Sequence, residues 1–240
     1  MTKLKNINLP TKVIDSWFYK DEQYKEQLKE YEDWSYISYS TAGDLTEYFE
    51  DLIKEKITKV KSYTENCYTR LGNWWGKAQA QGFFDESDEF AVDTSFDINK
   101  FRPEGAEYEK LVTLELSKEE KVLFIGFIDV YYERNGLSYL RDSKTGSATK
   151  VKNYEKEKYT QLVLYAYALE QKGHKIGGIG VDFFERKGSH LNPPLVLTGK
   201  HIDIPLEYSK ERVKFAMDTL LKNTQYVSDL YTTYQKYFKI

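Results

Sequence analysis

Asp129 closes the apolar run VLFIGFID, and Asp142 and Lys144 stand two apart in YLRDSKTGS, just before a glycine turn. Side chains alternate along a strand, so Asp142 and Lys144 face one way with Ser143 opposite. If Asp129 lies beside them, two carboxylates and one ammonium converge. Carboxylates that close repel one another unless a proton or a cation sits between them. Hard oxygen ligands of this kind suit a divalent ion such as magnesium or manganese. The lysine then supplies a positive charge, or a base if its pKa falls. An isolated Asp-x-Lys is more often a salt bridge at a sheet edge, so the triplet must be weighed with the elements around it.

Those elements are readable. KLVTLEL, KVLFIGFIDVYYE and GLSYLRDSK are rich in Val, Ile, Leu, Phe and Tyr, and ERNG lies between the last two with Asn-Gly at its centre. This predicts three consecutive antiparallel strands, the second and third joined by a tight hairpin. In NYEKEKYTQLVLYAYALEQKG, Tyr154, Lys158, Gln161, Leu162, Tyr165 and Leu169 follow helical spacing and Gly173 supplies a stop. KIGGIGVDFFER and PPLVLTGKHIDIP return to strand patterns, and Leu206 to Phe238 carries one long amphipathic helix or two. Upstream, from Asp21 to about Gln81, the spacing predicts several helices, with Leu45, Phe49, Leu52 and Ile53 in DLTEYFEDLIKEKI as the strongest example.

Order and company change the weight of the triplet. Gly126 to Asp129 reads Gly-Phe-Ile-Asp on one strand, Asp142 to Gly146 reads Asp-Ser-Lys-Thr-Gly on the next, and Gln161 and Tyr165 stand four apart on the following helix. Together they resemble the PD-(D/E)XK nuclease superfamily, specifically its RecB-like branch, over about Glu109 to Arg186. Upstream, YISYSTAGDLTEYFEDLI is similar to the Ser-x-Ser helix entry of that branch, and RLGNWWGKAQA to its Leu-Gly-Asn-x-x-His helix.

The resemblance implies an α/β fold: a restriction-endonuclease-like core, with a mixed central sheet flanked by helices, and an N-terminal helical elaboration. The expected layout is a single domain over 1–240, mainly helical to about 100, catalytic from about 105 to 205, and closed by a helix from about 206. It implies that Asp129 and Asp142 bind magnesium, with manganese able to substitute, and that the Ser143 backbone carbonyl adds a ligand. Lys144 would position or activate the attacking water, while Gln161 and Tyr165 would support the metal site and the scissile phosphate. The implied activity is metal-dependent DNA hydrolysis, as an exonuclease, in recombination, repair or processing. DNA is the implied partner, with a recombination or replication protein beside it, in the cytoplasm of a bacterium or a phage-infected cell. Gly76 stands where the branch commonly has a metal-binding histidine, and Glu109 on the first strand is a group that could replace it. That departure and the acidic net charge motivate an alternative: an inactive nuclease-fold subunit for DNA binding or assembly.

Composition bounds the rest. With Cys67 alone, neither an internal disulfide nor a four-cysteine iron-sulfur cluster can be built, so no such cluster is expected. The formal net charge of −3 gives no global attraction to nucleic acid, though an enzyme needs only a local positive groove. No apolar run approaches the roughly 20 residues that cross a bilayer, so no membrane partner is expected. GGIGVDFF has Phe183 where a dinucleotide fingerprint needs its third glycine, and LTGKH lacks the Ser or Thr of a phosphate loop. His174, His190 and His201 are scattered among polar neighbours and read as surface positions. Lys150 and Lys152 read as a solvated face or, beside a nuclease site, as phosphate contacts. Trp74 and Trp75 read as packing rather than base stacking.

Overall fold

The computed structural model describes residues 3–42, 66–154, 159–189 and 191–238. Its elements in chain order are α1 (Glu22–Leu28), β1 (Ser35–Ser38), α2 (Tyr39–Ala42), α3 (Cys67–Gln81), β2 (Phe90–Val92), β3 (Glu107–Ser117), β4 (Val122–Arg134), β5 (Leu137–Gly146), α4 (Gln161–Gln171), β6 (Ile176–Ser189), β7 (Asn192–Leu206) and α5 (Lys210–Phe238). The hydrogen-bonded strand order is β1-β4-β5-β6-β7-β2, and β3 also pairs with β4, giving a seven-stranded mixed sheet. The helical reading of DLTEYFEDLIKEKI lies outside the described residues. Among the described residues, no helix is long and apolar enough to cross a membrane.

The chain divides into two compact units, one of 1–63, 111–126 and 210–240, the other of 64–110 and 127–209. In the first, Asp21 caps α1 by accepting a hydrogen bond from the Gln23 N–H. β1 pairs in parallel with the start of β4, Ser35 to Ser38 lying against Val122 to Ile125. The N-terminal part holds two short strands beside its helices, β1 and β2, whose three or four residues are too few to show an alternation in the sequence. α5 is one helix rather than two, since no proline or glycine interrupts 210–238. The Asn223 amide donates to the Ala42 carbonyl 2.6 Å away and ties α5 to α2.

The second unit carries the expected strand, strand, helix, strand run from β4 through β6. β4 and β5 form the antiparallel hairpin, and its two turn residues, Asn135 and Gly136, take φ of 54° and 73°. Two left-handed residues in a row are what a type I′ turn demands, which is why Asn-Gly marks it in the sequence. β5 and β6 are parallel and joined through α4, the connection that parallel strands require. β6 to β7 is antiparallel and β7 to β2 parallel. α3 is pinned to the sheet by Leu71, Trp75 and Ala78, which bury against Phe90, Phe184, Leu195 and Leu197. The Trp75 and Phe184 rings are 4.3 Å apart, so this tryptophan is core as expected, and Trp74 packs on Phe84 while its Nε1–H donates to the Asp85 carbonyl.

The glycines of KIGGIGVDFFER have a structural reason instead of a cofactor-binding one. A β-carbon on Gly180 would overlap the Arg141 guanidinium and stand 2.9 Å from the Ile204 carbonyl oxygen. Arg141 lies across β6 at that point to reach Asp182 and Asp203. Gly180→Ala is therefore expected to destabilise the protein by about 1–3 kcal/mol through overpacking, measured by urea unfolding; an unchanged midpoint would contradict this reading.

Candidate active site

The middle of β4, the end of β5, the start of β3 and the helix α3 together wall a cleft of about 570 Å³. Gly72, Asn73 and Gly76 line it from α3, Tyr108 and Glu109 from β3, and Asp129, Ser143 and Lys144 from β4 and β5. The lining thus brings Asp129, Ser143 and Lys144 to one place. Asp142 lies behind them, only 2% exposed.

Each polar group has a specific anchor. Asp129 Oδ2 accepts the Ser143 backbone N–H at 2.8 Å, a bond made possible by the β4 and β5 hairpin. Among the described residues its Oδ1 accepts no hydrogen bond. The Lys144 ammonium bridges both oxygens of Asp142, 2.9 Å from Oδ1 and 2.8 Å from Oδ2. The Tyr159 hydroxyl reaches Asp142 Oδ2 at 2.8 Å and lies 3.0 Å from Gln161 Oε1. A phenol has one proton to donate, and the anionic carboxylate is the stronger acceptor. Gln161 in turn donates from Nε2 to the Tyr165 hydroxyl at 3.1 Å. Gln161 and Tyr165 are thus joined to Asp142 through Tyr159 and are not among the residues that line the cleft.

Tyr159 and Gln79 escaped the sequence reading. Tyr159 falls within the stretch whose spacing predicts a helix from about Tyr154. That helix begins only at Gln161: Tyr154 and Tyr159 instead pack their rings against each other 5.8 Å apart, and Tyr154 lies as close to Phe183. Tyr159 serves the buried carboxylate and Tyr154 the sheet. Gln79 is three residues beyond Gly76 and so on the same side of α3. Its Oε1 accepts the Ser143 hydroxyl at 2.8 Å and its Nε2 donates to the Phe101 carbonyl at 3.0 Å. Arg102 holds the same turn by donating to the Gln79 and Ala80 carbonyls, a cation on the open carbonyls of a helix end.

The electrostatics follow from burial and neighbours. Desolvation, and then the negative charge of Asp142, push the Asp129 carboxyl up to about 7, against Lys144 and the Ser143 N–H, which favour its charge. Burial opposes the charge on Lys144, but Asp142 and Asp129 outweigh it and hold the ammonium above the ordinary lysine range. The two carboxylates thus favour the charged ammonium of Lys144. Glu109 is exposed as a residue, yet its carboxyl group is crowded: desolvation and Asp142 raise its pKa while Lys144 opposes them. Burial raises Tyr165 as well, so it stays a neutral phenol.

An excess of acid at one place is what a cation relieves. Among the described residues, no three of His, Cys, Asp and Glu are grouped as a metal cage. The donor set nonetheless fits a magnesium-like ion, which keeps several waters and needs only one or two carboxylates: Asp129 has an open oxygen, and Asp142 has three of its roughly four lone-pair sites taken. The histidines stand elsewhere. His174 Nδ1 meets Tyr131 and Ser138 at 3.2 and 3.3 Å, and His201 Nε2 is 2.7 Å from Asp182. Both are half-buried in polar networks, not on the open surface as expected, and His190 lies outside the described residues.

Tyr159→Phe removes one proton donor from a buried carboxylate and frees Gln161. The expected cost is about 1.5–3 kcal/mol of stability and about tenfold in turnover, read from urea unfolding and steady-state rates. Unchanged values in both would mean that the Tyr159 bond does not hold Asp142.

A family model described as the PD-(D/E)XK nuclease superfamily matches residues 24–231. Among solved structures, the chain is similar to a phage-related exonuclease from Haemophilus somnus 129PT, at a TM-score of 0.50 and 10% identity over 77% of this chain and 80% of that one. It is also similar to an exonuclease candidate from Eubacterium rectale, at a TM-score of 0.50 and 10% identity over 89% and 86%. At that identity the likeness speaks for the fold alone. Among curated proteins no sequence relative matches.

Proposed function

The chain belongs to the PD-(D/E)XK nuclease superfamily, and from that premise we propose that it is a magnesium-dependent deoxyribonuclease, acting as an exonuclease. The observation that carries this reading is a cleft lined by Asp129 and Lys144, with the buried Asp142 bonded to Lys144 behind it and the Asp129 carboxyl pushed up to about 7.

Asp129, Asp142 and the Ser143 carbonyl would hold the cation. Bound there, it would lower the pKa of water and screen the charge that develops on the phosphate. The protein's own groups do the rest. Lys144, tethered to Asp142 and facing the cleft, is a hydrogen-bond donor set for the attacking water and a phosphate oxygen. Tyr159, held by Gln161 and Tyr165, fixes the rotamer of Asp142, and Gln79 locks the β5 strand end against α3. Lys150 and Lys152, both exposed just after β5, supply positive charge for the backbone of DNA. Manganese, with the same taste for oxygen ligands, is expected to substitute.

The test is to incubate the protein with linear and covalently closed circular DNA, single- and double-stranded, with magnesium or a chelator. Magnesium-dependent loss of linear DNA with circles spared is expected. Equal cutting of circles would overturn the exonuclease part, and no cutting of any substrate would overturn the enzyme.

A further inference from the structure

Among the described residues, seven large hydrophobic side chains are exposed, and three of them stand on α5: Phe215 at 56%, Tyr226 at 51% and Tyr237 at 69%. They follow one another at eleven residues, close to three full turns, so they lie on one side of the helix about 16 Å apart. The other sides of α5 are in use. Ala216, Leu220, Thr224 and Val227 are buried. The N-terminal segment is tied along a further side, where the Asn8 N–H donates to Ser228 Oγ and its side-chain amide to Gln235 Oε1, both at 2.7 Å. What remains is a strip of three aromatic rings, open to solvent, on a helix of 29 residues.

Charge lies along one flank of this strip. Asp218, Lys222, Asp229 and Lys236 follow at intervals of four and seven, which returns each to the same side. Among the described residues none of the four is in an ion pair; Asp229 accepts from Gln225, and Lys236 lies 5.4 Å from the Tyr237 ring centre.

The pattern has a centre. Tyr226 is midway between Phe215 and Tyr237, so a second α5 laid antiparallel on the first, with a two-fold axis at Tyr226, sets the two Tyr226 rings together. Phe215 of each copy then meets Tyr237 of the other. The same axis brings the charged flanks face to face, Lys222 of one copy beside Asp229 of the other and Asp218 beside Lys236, each contact made twice. In a parallel pair the charged flanks would face away from each other. Charges that flank an apolar seam are what fixes the orientation of paired helices.

We propose that this face of α5 is an interface between two copies of the chain, packed antiparallel about Tyr226. Three rings of roughly 200 Å² each, a little over half of it open, supply about 350 Å² per copy. With the flanking side-chain stems the pair reaches about 1,000–1,200 Å² in total, the lower end of specific interfaces, so the dimer is of micromolar strength. The inference does not depend on the nuclease reading.

Sedimentation equilibrium of the full chain from about 1 to 100 μM tests it. The wild type should pass from the 28.3 kDa of one chain toward twice that mass, and dissociate more readily as salt rises. Tyr226→Glu sets two like charges on the axis and should weaken association about 30-fold or more, with an unchanged circular dichroism spectrum. Lys222→Glu should weaken it about tenfold, and Lys222→Glu with Asp229→Lys should restore it to within about threefold, because the pair is only exchanged. A wild type still monomeric at about 100 μM would overturn the proposal, including one whose α5 face binds an unlike protein instead. So would an association that Tyr226→Glu leaves intact, or a double variant that associates no more tightly than Lys222→Glu.

Discussion

Asp129→Asn is expected to lower DNA cleavage on the order of 10³-fold while making the metal-free protein more stable. The rate loss follows from removing a ligand whose charge acts on the transition state. The gain in stability follows from linkage. Folding raises the Asp129 pKa from 3.8 to about 7, so the native state holds this proton more tightly than the unfolded chain does. Between about pH 4 and pH 7 stability therefore falls as pH rises, and above that window the cost is complete. An asparagine has no such slope, and its side-chain oxygen can still accept the Ser143 N–H. Thermal midpoints of wild type and variant should nearly coincide at pH 4 and separate by pH 8, the variant being higher, with manganese narrowing the gap by stabilising only the wild type. A variant less stable at pH 8 than the wild type would show that the Asp129 charge is satisfied without a cation.

Lys144→Ala should cost about 3–5 kcal/mol of stability and on the order of 10²-fold or more in turnover. The ammonium is the sole cation bonded to Asp142 among the described residues, and Asp142 is 2% exposed. Deleting one partner of a buried pair leaves the other as an uncompensated charge, here with only the Tyr159 hydroxyl for company. Two further variants separate folding from chemistry. Lys144→Ala with Asp142→Asn should recover much of the stability, because the stranded charge is gone, and none of the activity. Lys144→Arg keeps the charge but replaces a compact ammonium by a planar fork, so it should fold well and cut poorly. If the double variant were no more stable than Lys144→Ala, the pair would not be the source of the cost.

Much of this site was legible before the fold was seen, for physical reasons. An aspartate at the end of VLFIGFID is too costly to bury without a partner, and the two-residue period of a strand alone places Asp142 with Lys144. The Asn135 and Gly136 turn announced the hairpin that sets Asp129 beside Ser143. Other parts carried no local signal. Tyr159 is one of 21 tyrosines, and nothing near it in the chain marks it as the donor to Asp142. Gln79 acts across a tertiary contact from α3 to β5. The spacing of Tyr154 to Gln161 suggested helix, whereas the Tyr154 ring packs against Tyr159 and Phe183. The left-handed φ of Glu109, 52° within β3, was invisible, since glutamate does not advertise that backbone as glycine or asparagine would.

The most direct measurement is the rate at which the protein releases nucleotides from end-labelled linear DNA as magnesium is titrated in, with Asp129→Asn run beside it. Release that rises to saturation with magnesium, stops with chelator and falls on the order of 10³-fold in the variant is the result this site predicts. Release that continues undiminished in chelator, or in Asp129→Asn, would contradict it.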